Sequence, residues 1–241
     1  MVLVTGHMGF IGSYLSRRFD EVDWIGMDLK NQRDILNYPL PDVDIVIHLA
    51  AEPGVIASME NPYKNAMTNV MGTIRLARHY KDTRFIFASS GGTIQESIIS
   101  PYGLSKKTCE EYIKLLCKDY ALLRFPNVFG KGSRSVVDKF LNADGEVTVY
   151  GDGTAIRTYG YVEDIVDAIT MSINWGVGTF KLGNDRGYTV NEIAAAIGKP
   201  VRYEPAREGE LIFSSLPNET PMWKQNVDLI DYINTIKNET N

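Results

Sequence analysis

Cysteine is scarce in this chain: Cys109 and Cys117 are the two among 241 residues, too few for a disulfide scaffold and without the spacing of metal ligands. They point to a reduced, intracellular chain. A basic excess is missing as well, with 25 Lys plus Arg against 30 Asp plus Glu and a formal net charge of -5. No general polyanion-binding surface follows, so nucleic acid is not an expected partner, while a local phosphate site remains compatible. No apolar run reaches membrane-spanning length, and Met1-Val2-Leu3-Val4-Thr5-Gly6 carries no basic leader. The expectation is a soluble protein of the cytoplasm with no membrane partner. Internal repeats and low-complexity tails are also absent. What remains, at 44% hydrophobic and 23% charged residues, suffices for one substantial core or a core with a small lobe.

The hydrophobic pattern alternates between short β-rich runs and helical stripes. Val2 to Thr5 reads as a strand, Gly6 to Gly12 as a flexible turn and Ser13 to Phe19 as a helix. Val22 to Asp28 reads as a second strand and Asp44 to Ala51 as a third. The polar, Pro-containing stretch between those two is so short that an ordinary helix plus strand is missing or much reduced there. Asn65 to Tyr80 carries an apolar stripe of Met67, Val70, Met71, Ile74 and Ala77; Arg84 to Ala88 reads as a buried strand, Tyr102 to Lys118 as a long helix and Ala121 to Phe125 as another strand. This alternation predicts an α/β fold with a doubly wound parallel sheet. Beyond Gly130 the pattern loosens, with a strand signal at Val147 to Tyr150 and a helix signal at Val162 to Ile173, while Gly176 to Leu182, Val190 to Ile197 and Val227 to Ile236 suggest a small mixed lobe. The expected division is a Rossmann-like domain over 1–130, with 151–175 returning to it, and a small mixed α/β lobe over 131–241.

Gly6-His7-Met8-Gly9-Phe10-Ile11-Gly12 places glycines at positions one, four and seven between a strand and a helix. Such a loop lets backbone donors approach a pyrophosphate and aims a helix N-terminus at its charge. Asp28, at the end of the second strand, has the position of a ribose ligand, and its carboxylate would repel the extra phosphate of NADP. NAD is the expected cofactor, although Lys30 and Arg33 nearby leave NADP open.

At this point the chain resembles the extended short-chain dehydrogenase/reductase family, in its nucleotide-sugar epimerase and dehydratase branch. The resemblance runs through the glycine loop, Arg33-Asp34-Ile35, His48-Leu49-Ala50-Ala51 and Asn69-Val70-Met71-Gly72-Thr73, strongly to Gly130 and more weakly afterwards. It implies that Asp34 and Ile35 lie near adenine, that Leu49, Ala50 and Ala51 lie beside the cofactor backbone, and that Asn69 supports the active site by polar contacts. His48 lies in an apolar strand and reads as structural or cofactor-proximal rather than as a base.

Ser89-Ser90 ends a strand, and Pro101-Tyr102-Gly103-Leu104-Ser105-Lys106 opens a helix with Tyr102 and Lys106 on one face. The resemblance implies a proton-transferring Tyr102, a Lys106 that holds the nicotinamide ribose and favours the charged tyrosine, and a Ser90 that bonds the reacting sugar oxygen. Ser90 aligns better than Ser89. Family dehydratases commonly carry an acidic pair just after the catalytic serine or threonine, whereas Gly91-Gly92-Thr93 stands here, which favours epimerisation. Glu96 matches that role poorly.

Further along, Leu123 to Gly130 resembles the segment that leads to a sugar-nucleotide lobe, implying Phe125 and Pro126 near nicotinamide and Asn127 on the substrate side. Gly151 to Arg157 and Tyr161 to Asp164 also match; Arg157, and Arg207 within Arg207-Glu208-Gly209-Glu210, resemble ligands of a nucleotide diphosphate, a role their fixed fork suits. Asp164 reads as a support of a junction. The two long helices resemble the family's homodimer surface, though stripes of this kind equally pack inside one subunit. The resulting reading is an NAD-dependent nucleotide-sugar epimerase working through a transient ketone, with no metal. A dehydratase, reductase or decarboxylase of the same substrate class, or a non-catalytic NAD-binding regulatory protein, stands as the alternative.

Overall fold

A computed structural model describes residues 1–19, 22–94, 100–207 and 213–240. The chain runs β1 (Val2–Thr5), α1 (Phe10–Ser16), β2 (Trp24–Met27), β3 (Ile45–His48), α2 (Val55–Glu60), α3 (Pro62–Ala66), a π-helical turn (Met67–Met71), α4 (Gly72–His79), β4 (Arg84–Ser90), α5 (Pro101–Leu116) and β5 (Tyr120–Phe125). It continues as β6 (Asn127–Phe129), α6 (Val136–Leu141), β7 (Val147–Tyr150), β8 (Ile156–Tyr161), α7 (Val162–Met171), β9 (Gly178–Lys181), β10 (Gly187–Thr189), α8 (Val190–Ile197), β11 (Val201–Glu204), β12 (Phe213–Ser214) and α9 (Leu229–Thr240).

The chain divides into two compact units, one of residues 1–124 and 166–180 and the other of 125–165 and 181–241. The first is built on a six-stranded sheet in the order β2-β1-β3-β4-β5-β9, in which β2, β1, β3 and β4 run parallel. Every residue of β1 is buried, as a strand covered on both faces requires. The chain steps from β1 outward to β2 and then returns to the other side of β1 for β3. The carboxyl ends of β1 and β3 therefore flank the point where strand order reverses, the place where open α/β sheets bind ligands. Between β2 and β3 the structure has only a 3-10 turn, Leu29–Asn31, so the compactness expected there is found. Leu3, Met27, Val46, Phe85, Leu122, Leu76 and Ile113 make the core.

α1 and α5 depart from their expected limits for local reasons. α1 begins at Phe10, not Ser13, because Gly9 is already the extended N-cap residue. α5 starts one residue early on a strong signal: the Ser100 hydroxyl accepts from the Gly103 amide at 3.2 Å, and Pro101 occupies the first turn.

In the second unit β8 pairs with β6, β10 and β12, β7 pairs with β11, and Phe129, Val149, Tyr159, Tyr188, Ile193 and Ile233 form the core. These pairings explain why the division differs from the sequence boundaries. β6 joins β8 instead of the large sheet, so the chain leaves the first unit at Phe125 and not after Gly130. For the same reason 151–165 stays with the second unit, and only 166–180 returns to the first.

Candidate active site

The glycines of the loop after β1 are dictated by backbone crowding. Gly6 has φ +71°, and a Cβ there would lie 2.7 Å from the Ala50 amide nitrogen; on Gly12 a Cβ would lie 2.2 Å from the Gly6 carbonyl oxygen. The loop is thus pressed between the Leu49-Ala50 peptide and the first turn of α1, and no side chain caps that turn. Asp28 ties the loop to β2: one carboxylate oxygen accepts from the Met8 amide (3.1 Å) and the other from the Lys30 amide (3.0 Å). Lys30 Nζ in turn donates to the Met8 carbonyl (2.9 Å), and Arg33 donates to the Gly26 carbonyl (3.2 Å), so both cations are occupied with backbone. Asp34 accepts from the Leu36 amide (2.9 Å). The Ile35 side chain is core, packed where a Cβ on Gly72 would stand, which leaves its peptide group as what it can offer a ligand.

His48 is fully buried, and its ring joins two hydroxyls. Nδ1 lies 2.7 Å from Thr5 Oγ1 and Nε2 lies 2.9 Å from Thr73 Oγ1. Thr73 gives its one hydroxyl hydrogen to the Asn69 carbonyl (2.6 Å), so Nε2 carries the proton and donates to Thr73, and Nδ1 accepts from Thr5. Burial, with the nearby Lys106 charge, holds the His48 pKa down at about 3. A neutral ring with both nitrogens engaged is a bridge and not a base. Asn69 extends the bridge from the π-helical turn: its Oδ1 accepts from the Glu52 amide (2.7 Å), and its Nδ2 donates to the Glu52 carbonyl (3.2 Å) and to Ser105 Oγ (3.0 Å). Its amide is spent on protein groups, so Asn69 holds the segment after β3 against α5.

On α5, Tyr102, Lys106 and Glu110 follow one another at steps of four and meet the end of β4. The half-buried Tyr102 stands beside Ser90, which favours the ionised phenol, yet burial outweighs that neighbour and pushes the phenol pKa up to about 12. Lys106 is buried, donates to the Ala88 carbonyl (2.7 Å) and stands 4.6 Å above the Phe87 ring; burial lowers its pKa to about 8. The two serines are separated by their partners. Ser89 donates to Glu110 Oε1 at 2.6 Å, whereas Ser90 Oγ accepts from the Gly92 amide (3.2 Å) and reaches Tyr102. Gly91–Ile94 is a 3-10 turn with no carboxylate; Glu96 lies outside the described residues.

Sequence reasoning missed Glu110. It is fully buried, and Arg124 grips it with two bonds, Nε to Oε1 (2.9 Å) and Nη2 to Oε2 (2.6 Å). Those bonds and that from Ser89 keep the carboxyl below its ordinary pKa although burial pushes it up. The signal was available as the next step of four after Tyr102 and Lys106.

In the second unit Phe125 is buried, and the exposed Asn127 donates to the Thr158 carbonyl (3.3 Å). Arg157 donates to the Ile156 carbonyl (3.2 Å), and the Arg207 guanidinium stacks 3.3 Å from the centre of the Tyr150 ring. Asp164 accepts from the Asn226 and Val227 amides and the Asn226 side chain, all at 3.0 Å, a structural clamp. Among the described residues no group of three or more His, Cys, Asp or Glu could hold a metal, and no helix is long and apolar enough to cross a membrane.

A glycine loop of the phosphate-binding type follows β1 at the switch point, and Ser90, Tyr102 and Lys106 lie together where β4 meets α5. Residues 2–183 match the model of the NAD dependent epimerase/dehydratase family, and the chain belongs to that family of enzymes. It is 31% identical to a putative UDP-glucose 4-epimerase of Methanocaldococcus jannaschii, over 99% of this chain and 97% of the relative. That alignment spans 298 positions, more than the 241 residues here, so the difference in length is made up by internal gaps. Among solved structures, UDP-glucose 4-epimerase of Thermotoga maritima with UDP-glucose is 28% identical with a TM-score of 0.85, covering 99% of this chain and 98% of the other. The Thermus thermophilus UDP-glucose 4-epimerase with NAD is 27% identical with a TM-score of 0.84, covering 98% and 97%. The sheet is the parallel Rossmann-like one expected, the family is NAD-dependent, and these relatives support the epimerase reading.

Proposed function

We propose that this enzyme inverts one hydroxyl-bearing carbon of a nucleotide-diphosphate sugar, with Ser90, Tyr102 and Lys106 as its catalytic residues. The observation that carries the reading is the β4–α5 junction, where Ser89 is diverted to Glu110 and Ser90 alone is left to the Tyr102 phenol. The loop fits NAD: without a Cβ on Gly6 or Gly12 its backbone closes against Ala50 and the first turn of α1, and Gly9, Phe10 and Ile11 open an uncapped helix turn. Asp28 would take the adenosine ribose, the peptides of Asp34 and Ile35 the adenine, and Leu49, Ala50 and Ala51 the dinucleotide backbone, in the 1–124 and 166–180 unit read as the cofactor domain.

When bound, NAD supplies the acceptor and donor of hydride that oxidation and re-reduction of a sugar carbon require. Tyr102 takes the proton of the sugar hydroxyl as the ketone forms and gives it back as the opposite face is reduced. Its pKa near 12 in the protein alone means that Lys106 does not by itself make the phenol a base; the ammonium is held on the Ala88 carbonyl, ready to orient a ribose. Ser90 steadies the reacting oxygen. With Gly91 and Gly92 following Ser90, no acid–base pair for elimination stands there. In the second unit, read as the substrate lobe, Asn127, Arg157 and Arg207 would bind the nucleotide diphosphate and Phe125 would lie by the nicotinamide. The chain acts as a homodimer through its long helices, a reading supported by Leu104, Tyr112 and Leu115 of α5, all exposed on one side of the helix.

The test is an NMR and mass-spectrometric assay of the purified protein with NAD on UDP-, GDP- and dTDP-hexoses. A product diastereomer of unchanged mass is expected. Loss of water or carbon dioxide, or no turnover across the panel, would remove the epimerase assignment.

A further inference from the structure

α5 presents three buried or half-buried polar side chains to three consecutive residues of β4: Tyr102 to Ser90, Lys106 to the Ala88 carbonyl and Glu110 to Ser89. The first two belong to the chemistry proposed above. The third is a carboxylate with no access to solvent, and taking such a charge out of water is costly unless it is paired and fully bonded. Glu110 meets that condition through Arg124 and Ser89. The one hydroxyl hydrogen of Thr93 is shared between the Ser90 carbonyl at 2.8 Å and Glu110 Oε1 at 3.3 Å. Thus the residue before Ser90 and the turn after it are both tied to one carboxylate. Hydrophobic side chains could fill this space without distinguishing Ser89 from Ser90, whereas an acceptor at this point draws Ser89 away and leaves Ser90 aimed at Tyr102.

The same carboxylate sits one helical turn beyond Lys106. The groups that face the Lys106 ammonium are Tyr102, Cys109 and Glu110 on its own helix, the Ala88 carbonyl and Phe87 ring on β4, and neutral His48 on β3; Arg124 on β5 lies behind Glu110 as its counter-ion. Glu110 is the one ionised acid of that set.

We propose that Glu110 is a positioning residue of this site: with Arg124 it fixes the Ser90 turn through Ser89 and Thr93, and its negative charge helps keep the buried Lys106 an ammonium. The inference rests on the assignment of Ser90 and Lys106 above. Its direct readout does not need turnover. Lys106 is titrated by NMR of labelled lysine side chains in the free protein, where burial places its pKa at about 8 and the neighbouring Cys109 and Glu110 oppose that fall.

In Glu110→Gln, which keeps the shape and removes the charge beside an unneutralised Arg124, Lys106 is expected to titrate at lower pH than in the wild type. In Ser89→Ala, which leaves the carboxylate with Arg124, Lys106 is expected to titrate as in the wild type while kcat falls about tenfold with KM little changed. Unshifted Lys106 titration in a folded Glu110→Gln protein, or wild-type kcat in Ser89→Ala, overturns the proposal. Should Glu110→Gln not fold, Glu110→Asp carries the test: a lowered kcat with Lys106 titrating as in the wild type supports it, and a wild-type kcat overturns it. Absent turnover of the wild type on every sugar nucleotide would count against the epimerase reading, whereas the Lys106 titration would still decide the role of Glu110.

Discussion

In the Gly6–Gly12 loop the chain is held by backbone against backbone, whereas at the junction of β4 and α5 buried side chains hold backbone and one another. The loop has almost no side-chain chemistry of its own; its shape follows from the absence of Cβ atoms where Gly6 meets Ala50 and Gly12 meets Gly6. The junction has little backbone constraint and depends on charge: Glu110, Arg124 and Lys106 in a low-dielectric setting, with Ser89, Ser90 and Thr93 distributed among them. Change in the first region acts through sterics and change in the second through protonation and hydrogen bonding. His48 joins the two, with Thr5 at the root of the loop on one nitrogen and Thr73, leading to Asn69 and Ser105, on the other.

The sharpest break of this comparison is Tyr102→Phe. It is expected to cut turnover by about 10²- to 10⁴-fold while leaving NAD affinity near that of the wild type, checked by product NMR and calorimetric titration with NAD. Equal losses of both would mean that the junction shapes the loop. Gly12→Ala is the converse, since its Cβ must displace the Gly6 peptide; a cost of about 1–3 kcal/mol is expected, read as weakened NAD binding and a lowered Tm. An Ala variant that binds NAD as the wild type does would sink the steric account.

The bridge between the regions makes a pH-dependent prediction. The His48 pKa is about 3 folded against 6.5 unfolded, so the unfolded chain binds the extra proton. The contribution of its neutral ring is fully present above pH 6.5 and is lost as pH falls toward 3, by about 1.4 kcal/mol per pH unit inside that window. Denaturant unfolding of His48→Gln should therefore give a stability curve less steep with pH than the wild type between those limits; parallel curves would show that His48 does not titrate on unfolding. Asp28→Ala has the smallest expected effect, about 1 kcal/mol in NAD binding and loop order, since its carboxylate makes two backbone hydrogen bonds at a partly exposed position. NAD affinity equal to that of the wild type would take the ribose role from Asp28 and leave it to the loop.

Much of the site could be read from linear spacing, because the physics behind it is local. Glycines at positions one, four and seven demand close backbone approach wherever they follow a strand, and residues four apart on a helix share a face whatever the helix packs against. The alternation of strands and helices predicted the parallel sheet, and the short stretch after Asp28 predicted that an ordinary helix and strand would be missing there. The same local signals could not say which strand a short run would join. The strand signals included neither β6 nor β8, so the reach of each unit was misplaced.

What the sequence by itself determined is therefore the order of motifs, the sheet class, the crowded glycine loop and the shared face of Tyr102 and Lys106. Tertiary structure alone decided which serine is taken by Glu110, which tautomer His48 holds and where Glu110 finds its partners. Ser89 and Glu110 are 21 residues apart, and Glu110 and Arg124 are 14 apart. A buried charge is tolerable only once such partners converge, and that convergence is a property of the packed fold and not of any window along the chain.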